Sequence, residues 1–234
     1  MYDAFADSFA GHAEFSAYNA HYDRPAVLDL LGDVAGARIL DVGCGSGLYA
    51  AELVRRGADV IGFDSSARLV KHALERVGSL ADLRVHDLRD PLNWIDDESV
   101  DQAIMALVIH HLEDPVPALR EVHRALKPGG RLVVSTAHPI ADWRQFGGSY
   151  FTDELIDDTW NADWRVRFRR APLTTWCSEF REAGFLISRL EEPLPAESMK
   201  DEFPDTYAKL KMEPFFVMFD LVKPINARGR PEPD

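Results

Sequence analysis

The sequence has few cysteines and few basic residues for its length. Only two of its 234 residues are cysteine, Cys44 and Cys177, and a pair so far apart in a chain rich in apolar residues predicts no disulfide. Lys and Arg number 26 against 39 Asp and Glu, which gives a formal net charge of −13. Clustered cations normally neutralise bound phosphates, so this balance argues against a broad surface for nucleic acid or an anionic membrane.

Long apolar runs are also missing. The longest strongly apolar run, residues 103–109, is far shorter than the roughly 20 residues that a membrane span needs. The first residues lack the basic start and unbroken apolar stretch of a secretory signal. A composition of 46% hydrophobic and 28% charged residues is typical of a globular protein. We therefore expect a soluble cytoplasmic protein with reduced thiols, and its oligomeric state stays open.

Short β-rich runs alternate with helical patterns through the middle of the chain. This alternation predicts βαβ units and a mostly parallel sheet covered on both faces. The predicted strands are residues 38–42, 59–63, 83–85, 100–108 and 131–135, with helices at 48–56, 65–77 and 117–126. A further helix at 173–183 and strands at 185–190 and 215–222 follow. We divide the chain into an N-terminal helical cap (1–35), a core (36–137), a lid or substrate insertion (138–172), a C-terminal part of the core sheet (173–225) and a flexible tail (226–234).

A glycine-rich loop joins the first predicted strand to the helix after it. Residues 39–47 are ILDVGCGSG, in which Gly43 and Gly45 let the backbone turn sharply and let a ligand approach without a Cβ clash. About twenty residues later Asp64 ends the second strand, where a carboxylate can accept hydrogen bonds from both hydroxyls of a ribose. Together these features predict an adenosine-type cofactor at the switch point of a doubly wound sheet.

Three positions distinguish this loop from a dinucleotide-binding one. Leu48 stands where the G-x-G-x-x-G pattern has its last glycine. Asp41 lies two residues before the first glycine, where it would repel a pyrophosphate but would suit a cationic ligand such as an α-ammonium group. Asp87, after the third strand, can accept a hydrogen bond from an adenine amino group. Three carboxylates around a nucleoside site favour S-adenosylmethionine, with its sulfonium and ammonium groups, over NAD.

At these residues the chain resembles the class I S-adenosylmethionine-dependent methyltransferases, closely over residues 36–137 and loosely in the flanks. DVGCGSG is similar to the first motif of that family, and the segment at 126–132 is similar to its turn into strand five. The resemblance implies a Rossmann-like, doubly wound α/β fold with a seven-stranded sheet of order 3-2-1-4-5-7-6, whose last strand is antiparallel. It also implies methyl transfer to an O, N or C atom of a small molecule, giving S-adenosylhomocysteine.

The resemblance also assigns the cofactor site residue by residue. Asp64 would bind the ribose, Ser65 and Leu69 would lie beside the adenine, and a backbone carbonyl near Ala106 would hold the ammonium group. Tyr18 and Arg24 of the N-terminal cap are less firmly matched, because that region resembles the family poorly. The predicted cofactor-binding residues are Asp41, Gly43, Cys44, Gly45, Asp64, Ser65, Leu69, Asp87, Leu88, Ala106, Tyr18 and Arg24.

Two histidines are the candidates for proton chemistry. A hydroxyl acceptor usually needs a base, whereas carbon and nitrogen acceptors need less proton transfer. His111 lies just past strand four. It acts either as a base or acceptor-orienting residue, or as a residue that caps the next helix or shapes the cofactor pocket. His138 directly follows strand five, and either contacts the substrate or orders its loop by a hydrogen bond. The adjacent pair His110 and His111 does not have metal-ligand spacing, so no metal site is predicted.

Aromatic and basic residues are the candidates for acceptor binding. Tyr22 of the cap either faces the substrate or belongs to an apolar helix face packed on the core. In the insertion, Arg165, Arg167 and Arg169 share one face of a predicted strand, as a solvated edge or as a local anion site. The predicted substrate-binding residues are Tyr22, Tyr150, Trp160 and Arg169. The alternatives to small-molecule methylation are a methyltransferase of tRNA, rRNA or protein, and a non-catalytic cofactor-binding protein.

Overall fold

Nine strands account for the β-structure of the computed structural model, which describes residues 2–161 and 163–225. The predicted tail, residues 226–234, lies outside the described residues. The strands are β1 (Arg38–Val42), β2 (Asp59–Asp64), β3 (Ala81–Val85), β4 (Val100–Ala106), β5 (Leu126–Ala137), β6 (Glu154–Trp160), β7 (Trp164–Arg170), β8 (Leu186–Glu191) and β9 (Phe216–Val222). Seven of them form one sheet of order β3-β2-β1-β4-β5-β9-β8, and β6 and β7 form a separate hairpin.

Strand directions in the main sheet follow the predicted topology. The pairs β1–β2, β2–β3, β1–β4 and β4–β5 are parallel. The late strand β9 is antiparallel to both β5 and β8. If the hairpin strands β6 and β7 are left out of the numbering, β8 and β9 become strands six and seven. The sheet order is then 3-2-1-4-5-7-6, and strand seven, the last in the chain, is antiparallel. The predicted fold class is therefore confirmed.

Helices cover both faces of the sheet. They are α1 (Ala6–Phe15), α2 (Arg24–Leu31), α3 (Leu48–Arg55), α4 (Ala67–Val77), α5 (Val116–Ala125), α6 (Pro139–Phe146), α7 (Leu173–Glu182), α8 (Ser198–Glu202) and α9 (Pro204–Leu210). Short helical turns lie at Tyr2–Phe5, Asn19–Asp23, Gly78–Leu80 and Ile109–His111. Within the described ranges, no helix is both long and apolar enough to cross a bilayer.

Two buried layers sandwich the sheet, because alternate residues of its strands point to opposite faces. Leu40 of β1 packs in the layer under α5 and α7, which includes Phe180. Its neighbour Ile39 packs in the opposite layer, with residues of α2, α3 and α4. Val27 and Leu31 of α2 are buried in this second layer. Helix α2 therefore covers the sheet. The N-terminal residues before α2 are the ones that reach the predicted site, as Asp23 does through Tyr49.

The insertion between β5 and α7 contains helix α6 and the β6–β7 hairpin. Arg165 and Arg167 are exposed and Phe168 is buried, as the alternation predicts. The expectation that Arg169 shares the solvated face is wrong, since Arg169 is 7% exposed. Its guanidinium pairs with Asp153 and lies 2.8 Å from a carboxylate oxygen of Glu179, and these two carboxylates offset the cost of burying the charge.

Candidate cofactor and acceptor site

The glycine loop between β1 and α3 lies against the segment that follows β4. Gly43 has φ +71°, and a Cβ there would stand 2.4 Å from a methyl group of Val108. Gly45 has φ +53°, and a Cβ there would meet nothing within 4 Å. Cys44 is buried, and its backbone N–H donates to the carbonyl of Phe63 on β2 at 2.9 Å. The loop is thus closely packed at Gly43 and leaves space at Gly45.

Asp64 ends β2 beside this loop with its carboxylate held by backbone amides. One oxygen accepts from the N–H of Gly45 at 3.0 Å and the other from the N–H of Ser66 at 2.8 Å. Burial raises the pKa of Asp64 above its ordinary value. Ser65 is exposed, and Ser66 caps α4 by accepting from the N–H of Leu69 at 3.2 Å. The oriented carboxylate keeps lone pairs for further donors such as paired hydroxyls.

Asp41 is a buried carboxylate with one oxygen lacking a partner. Oδ2 of Asp41 has no hydrogen bond to any described residue, and the residue as a whole is 2% exposed. Burial raises the pKa of Asp41 to about 7, and the nearby charge of Asp64 adds to the rise. A buried unpaired acceptor of this kind is costly unless a donor reaches it. A cationic ligand would satisfy it.

A second buried carboxylate beside the loop was not predicted from the sequence. The hydroxyl of Tyr49, at the start of α3, donates to Asp23 at 2.6 Å. Burial raises the pKa of Asp23 to about 6. The only local signal is that Tyr49 follows the glycine loop directly, after Leu48. Its partner Asp23 lies 26 residues earlier in the sequence, and a local sequence pattern cannot predict a contact at that separation.

The remaining predicted cofactor residues lie at strand ends or pack nearby. Asp87 accepts two hydrogen bonds from the guanidinium of Arg89, which lowers the pKa of that carboxyl to about 2. Leu88 is half-buried against the core, and Leu69 is buried beneath α1. Ala106 is the last residue of β4 and pairs with Ser135 of β5.

His111 lies in the helical turn after β4, with both ring nitrogens in contact. Nδ1 is 3.1 Å from the backbone carbonyl of Arg167 on the hairpin, and Nε2 is 3.0 Å from the hydroxyl of Tyr2. A carbonyl only accepts, so Nδ1 carries the proton and Nε2 accepts from Tyr2. Burial lowers the pKa of His111 to about 4. His111 is thus a neutral imidazole whose basic lone pair points at a hydroxyl.

His138 and His110 make structural contacts. Nδ1 of His138 accepts from the N–H of Ile140 at 3.1 Å and so caps α6. Its Nε2 lies 2.9 Å from a carboxylate oxygen of Glu192. His110 is buried, with Nδ1 2.9 Å from the hydroxyl of Thr136. These contacts support the loop-ordering interpretation of His138. In the part of the chain that the structure describes, no group of residues has the makings of a metal site.

The predicted residues of the N-terminal cap make contacts within the protein. The hydroxyl of Tyr22 donates to the carbonyl of Pro193 at 2.9 Å, and the ring is fully buried. The ring centroid of Tyr18 lies 4.5 Å from that of Phe215. The guanidinium of Arg24 donates to backbone carbonyls at the end of α1, at 3.3 and 3.4 Å. Contacts within the protein therefore explain the positions of all three side chains, and no ligand is needed to explain them.

The aromatic residues of the insertion are spread over its length. Tyr150 packs edge-on against Phe151, and the indole N–H of Trp160 donates to Asp158 at 3.1 Å. Trp164 is not among the predicted substrate-binding residues, and it joins the hairpin to the N-terminal segment. Its ring stacks on Phe5 with centroids 5.3 Å apart, and its indole N–H donates to Ser8 at 3.1 Å.

Comparison with known proteins places this site in a family. Residues 40–134 match a family model described as a methyltransferase domain. A ubiquinone biosynthesis O-methyltransferase from Alkalilimnicola ehrlichii is 34% identical over 174 residues, covering 70% of this chain and 67% of that protein. One from Xanthomonas oryzae pv. oryzae is 39% identical over 123 residues, covering 50% of this chain and 51% of that protein. The chain thus spans about two thirds of the length of the first relative and half of the second.

Solved structures agree with the sequence match. An S-adenosylmethionine-dependent methyltransferase from Mesorhizobium loti is 26% identical with a TM-score of 0.76, covering 90% of this chain and 99% of that one. A structure from Listeria monocytogenes, described in the same terms, has a TM-score of 0.74 at 22% identity, covering 86% and 96%. The second likeness supports the fold alone. The family match, the relatives and the sheet order agree that this chain belongs to the class I S-adenosylmethionine-dependent methyltransferases.

Proposed function

We propose that this methyltransferase acts on a hydroxyl oxygen of a small-molecule acceptor and that His111 takes up the proton. The observation that carries the proposal is the arrangement of the His111 ring. Its Nδ1–H is held by the Arg167 carbonyl, so that Nε2 presents a lone pair to a hydroxyl 3.0 Å away. His111 lies in the turn after β4, in the same segment as Val108, which packs against Gly43 of the glycine loop. A hydroxyl acceptor is the kind that benefits from such a base.

The buried carboxylates of the site fit S-adenosylmethionine. Asp41 Oδ2 is a buried acceptor without a described partner, which suits the α-ammonium group. Asp64 is oriented by two backbone amides for the ribose hydroxyls, and the space at Gly45 admits a ligand against the backbone. Asp87 and Leu88 would lie beside the adenine. These residues would hold the cofactor, with Tyr49, which donates to Asp23, as a polar neighbour of Asp41.

The chain's own groups would position the acceptor and receive its proton. Bound S-adenosylmethionine supplies an electrophilic methyl group on a positively charged sulfur. The acceptor oxygen forms its bond to that methyl group as its O–H proton passes to Nε2 of His111. In the products the electron pair of the carbon–sulfur bond would remain on sulfur, as neutral S-adenosylhomocysteine, and the proton would be on His111. Burial lowers the pKa of His111 to about 4, so the ring is neutral in the physiological range.

Relatives and charge both support a small-molecule acceptor. The names of the matched relatives assign O-methylation in ubiquinone biosynthesis to those proteins. The net charge of −13 is unfavourable for RNA as a substrate. The arginines of the insertion offer no strong alternative, since Arg169 pairs with Asp153 and Glu179 and Arg170 pairs with Glu154.

A methyl-transfer assay with matched variants tests this proposal. We expect radiolabel from S-adenosylmethionine to enter a small-molecule extract, with much less entering RNA or protein. His111→Gln keeps a hydrogen-bonding side chain but removes the imidazole, and we expect the turnover number to fall roughly 10²- to 10⁴-fold. His123→Gln on α5, where His123 packs against Phe185, is the control that should keep full turnover.

Two results would overturn the proposal. Label found only in RNA or protein would show that the acceptor class is wrong. Full turnover of the His111→Gln protein on its hydroxyl acceptor would show that His111 does not take the proton. Calorimetric titration of the same variant with S-adenosylhomocysteine separates a lost catalytic group from a damaged cofactor site.

A further inference from the structure

The β6–β7 hairpin carries the backbone carbonyl that holds the ring of His111. Its two strands pair with each other, and in the described part of the chain no strand of the main sheet pairs with them. The position of that carbonyl therefore depends on how β7 is fixed to the rest of the protein. We propose that Arg169 is a positioning residue for His111, and that it acts by joining β7 to Glu179 of α7. This inference rests on the proposed role of His111 and adds a residue that supports it from outside the site.

Arg169 lies where the insertion meets the core. Its Nε donates to Asp153, the residue before β6, at 2.6 Å. Its Nη2 lies 2.8 Å from Oε1 of Glu179, and its Cζ lies 5.1 Å from the ring centroid of Trp176, a core residue of α7. A planar guanidinium can hold two carboxylates in fixed directions, whereas an ammonium group acts as a point charge. The side chain thus attaches β7 to a core helix through a contact of defined direction.

The covalent connection between β7 and α7 does not fix their relative direction. β7 ends at Arg170 and α7 begins at Leu173, so the chain joins strand and helix at one point. Glu179 lies in the second half of α7, roughly 9 Å along the helix from its first residue. A second attachment at that distance fixes the angle between the strand and the helix.

This angle determines where the Arg167 carbonyl lies. Arg167 and Arg169 are two residues apart on β7, which is roughly 7 Å in an extended chain. Phe168, between them, is buried with its ring edge-on to that of His110, at 6.2 Å between centroids. The strand therefore packs on the turn that contains His111. A change in its direction moves the carbonyl, which lies 3.1 Å from Nδ1 of His111.

The Arg167 carbonyl decides which nitrogen of His111 carries the proton. In a neutral imidazole the proton is held on the nitrogen whose N–H has a fixed acceptor. When the carbonyl moves away, the proton is free to occupy Nε2, and Tyr2 can accept from it there because a hydroxyl both donates and accepts. Nε2 then has no lone pair for the acceptor, and the ring is no longer a base at that position.

The contact between Arg169 and Glu179 is better suited to fixing geometry than to adding stability. Nη1 of Arg169 and Oε2 of Glu179 are buried without a hydrogen-bond partner among the described residues. Unsatisfied buried atoms reduce what a buried ion pair contributes to the free energy of folding. Arg170 on the same strand is also buried, but it pairs with Glu154 and Gly147, which both belong to the insertion.

Nitrogen-15 NMR of the histidine side chains, in the complex with S-adenosylhomocysteine, tests the inference without an acceptor. The signals of His111 are those absent from the His111→Gln protein. Glu179→Ala removes the contact on α7 and leaves Arg169 paired with Asp153. We expect the proton of His111 to change from Nδ1 to a mixture of both nitrogens, and methyl transfer into the small-molecule extract to slow roughly tenfold. The affinity for S-adenosylhomocysteine should stay unchanged.

Two further variants complete the experiment. Glu154→Ala is the matched control, because it removes the carboxylate partner of Arg170 and leaves the contact with α7 in place. It should keep the proton on Nδ1 of His111 and the full rate of transfer. Glu179→Gln keeps an oxygen that can accept from Arg169, so it should restore most of the wild-type signal and rate. Thermal melts check that each variant is folded at the temperature of the NMR measurement.

The results separate this inference from the proposed function. A folded Glu179→Ala protein that keeps its proton on Nδ1 of His111 would overturn the inference and leave the proposed function standing. An equal change in the Glu154→Ala protein would also overturn it, because the effect would then come from general loosening of the hairpin. A changed proton position with undiminished methyl transfer would instead count against His111 as the base.

Discussion

At the scale of single residues, buried carboxylates set the electrostatics of the site. A carboxyl group whose pKa is raised on folding stabilises the protein below its ordinary pKa, and that contribution is lost as the pH rises through the folded value. For Asp41 the ordinary value is 3.8 and the folded value is about 7. The protein without cofactor thus has an unpaired buried charge above neutrality, which an ammonium group would balance.

We therefore expect Asp41→Asn to have opposite effects on stability and binding. Asn mimics the protonated carboxyl, so the variant without cofactor should melt at a higher temperature than the wild type, by a smaller margin near pH 5 than near pH 8. Its affinity for S-adenosylmethionine should fall at least tenfold, about 1.4 kcal/mol.

Thermal melts at the two pH values and calorimetric titration check this prediction. Asp59→Asn is the control, since it removes the same charge from an exposed position on β2. A variant that binds the cofactor as tightly as the wild type would contradict the assignment of Asp41.

The sequence predicted those site residues that lie in one local motif. Asp41, Gly45 and Asp64 are separated only by the first βα unit, so their approach follows from chain order. Tyr2 meets His111 across 109 residues and has no such local signal. The exposure of Arg169 was predicted wrongly, because alternation along a strand carries no information on carboxylates contributed by other elements, such as Glu179 of α7.

At the scale of secondary-structure elements, two of the three glycines in the β1–α3 loop, Gly47 and Gly45, have different surroundings. A Cβ at Gly47 would lie 2.8 Å from Cα and Cβ of Ala73 on α4, at φ +78°. Gly45 also has a positive φ, but its missing Cβ faces open space. Gly47 allows α3 and α4 to pack closely, and Gly45 leaves room for a ligand.

We expect Gly47→Ala and Gly45→Ala to separate stability from binding. Gly47→Ala adds a clash with backbone to the left-handed strain, so stability should fall by roughly 2–4 kcal/mol and the melting temperature by about 5–12 °C. Gly45→Ala should lose only about 1–2 kcal/mol and yet weaken the cofactor at least tenfold. Differential scanning calorimetry measures the stability of each variant, and binding titration measures its affinity for the cofactor. Equal losses of stability in the two variants would contradict the difference in packing.

Element bounds agree best where the hydrophobic pattern is uninterrupted. β1 was predicted with its observed ends, Arg38 and Val42. β5 begins at Leu126, five residues before the predicted start, because Leu126 already pairs with Val100 of β4. The Pro128–Gly130 turn signal hid this pairing. The β6–β7 hairpin was also missed as a pair, since β6 alternates only weakly and is largely exposed.

At the scale of the whole molecule, the excess of 13 negative charges is the main long-range feature. It repels polyanions and has little effect on a neutral small molecule. We expect no binding of a labelled RNA oligonucleotide tighter than about 10 µM at ~150 mM salt, measured by fluorescence anisotropy. Tighter binding whose affinity falls steeply with salt would favour the RNA methyltransferase alternative.

The contact between Gly43 and Val108 has a consequence for the order of events in turnover. With no Cβ at Gly43, the glycine loop lies directly on the segment that leads to His111. A shift of the loop on binding the methyl donor would reach the acceptor side through this steric contact. Donor and acceptor should therefore add in a fixed kinetic sequence, with the methyl donor first.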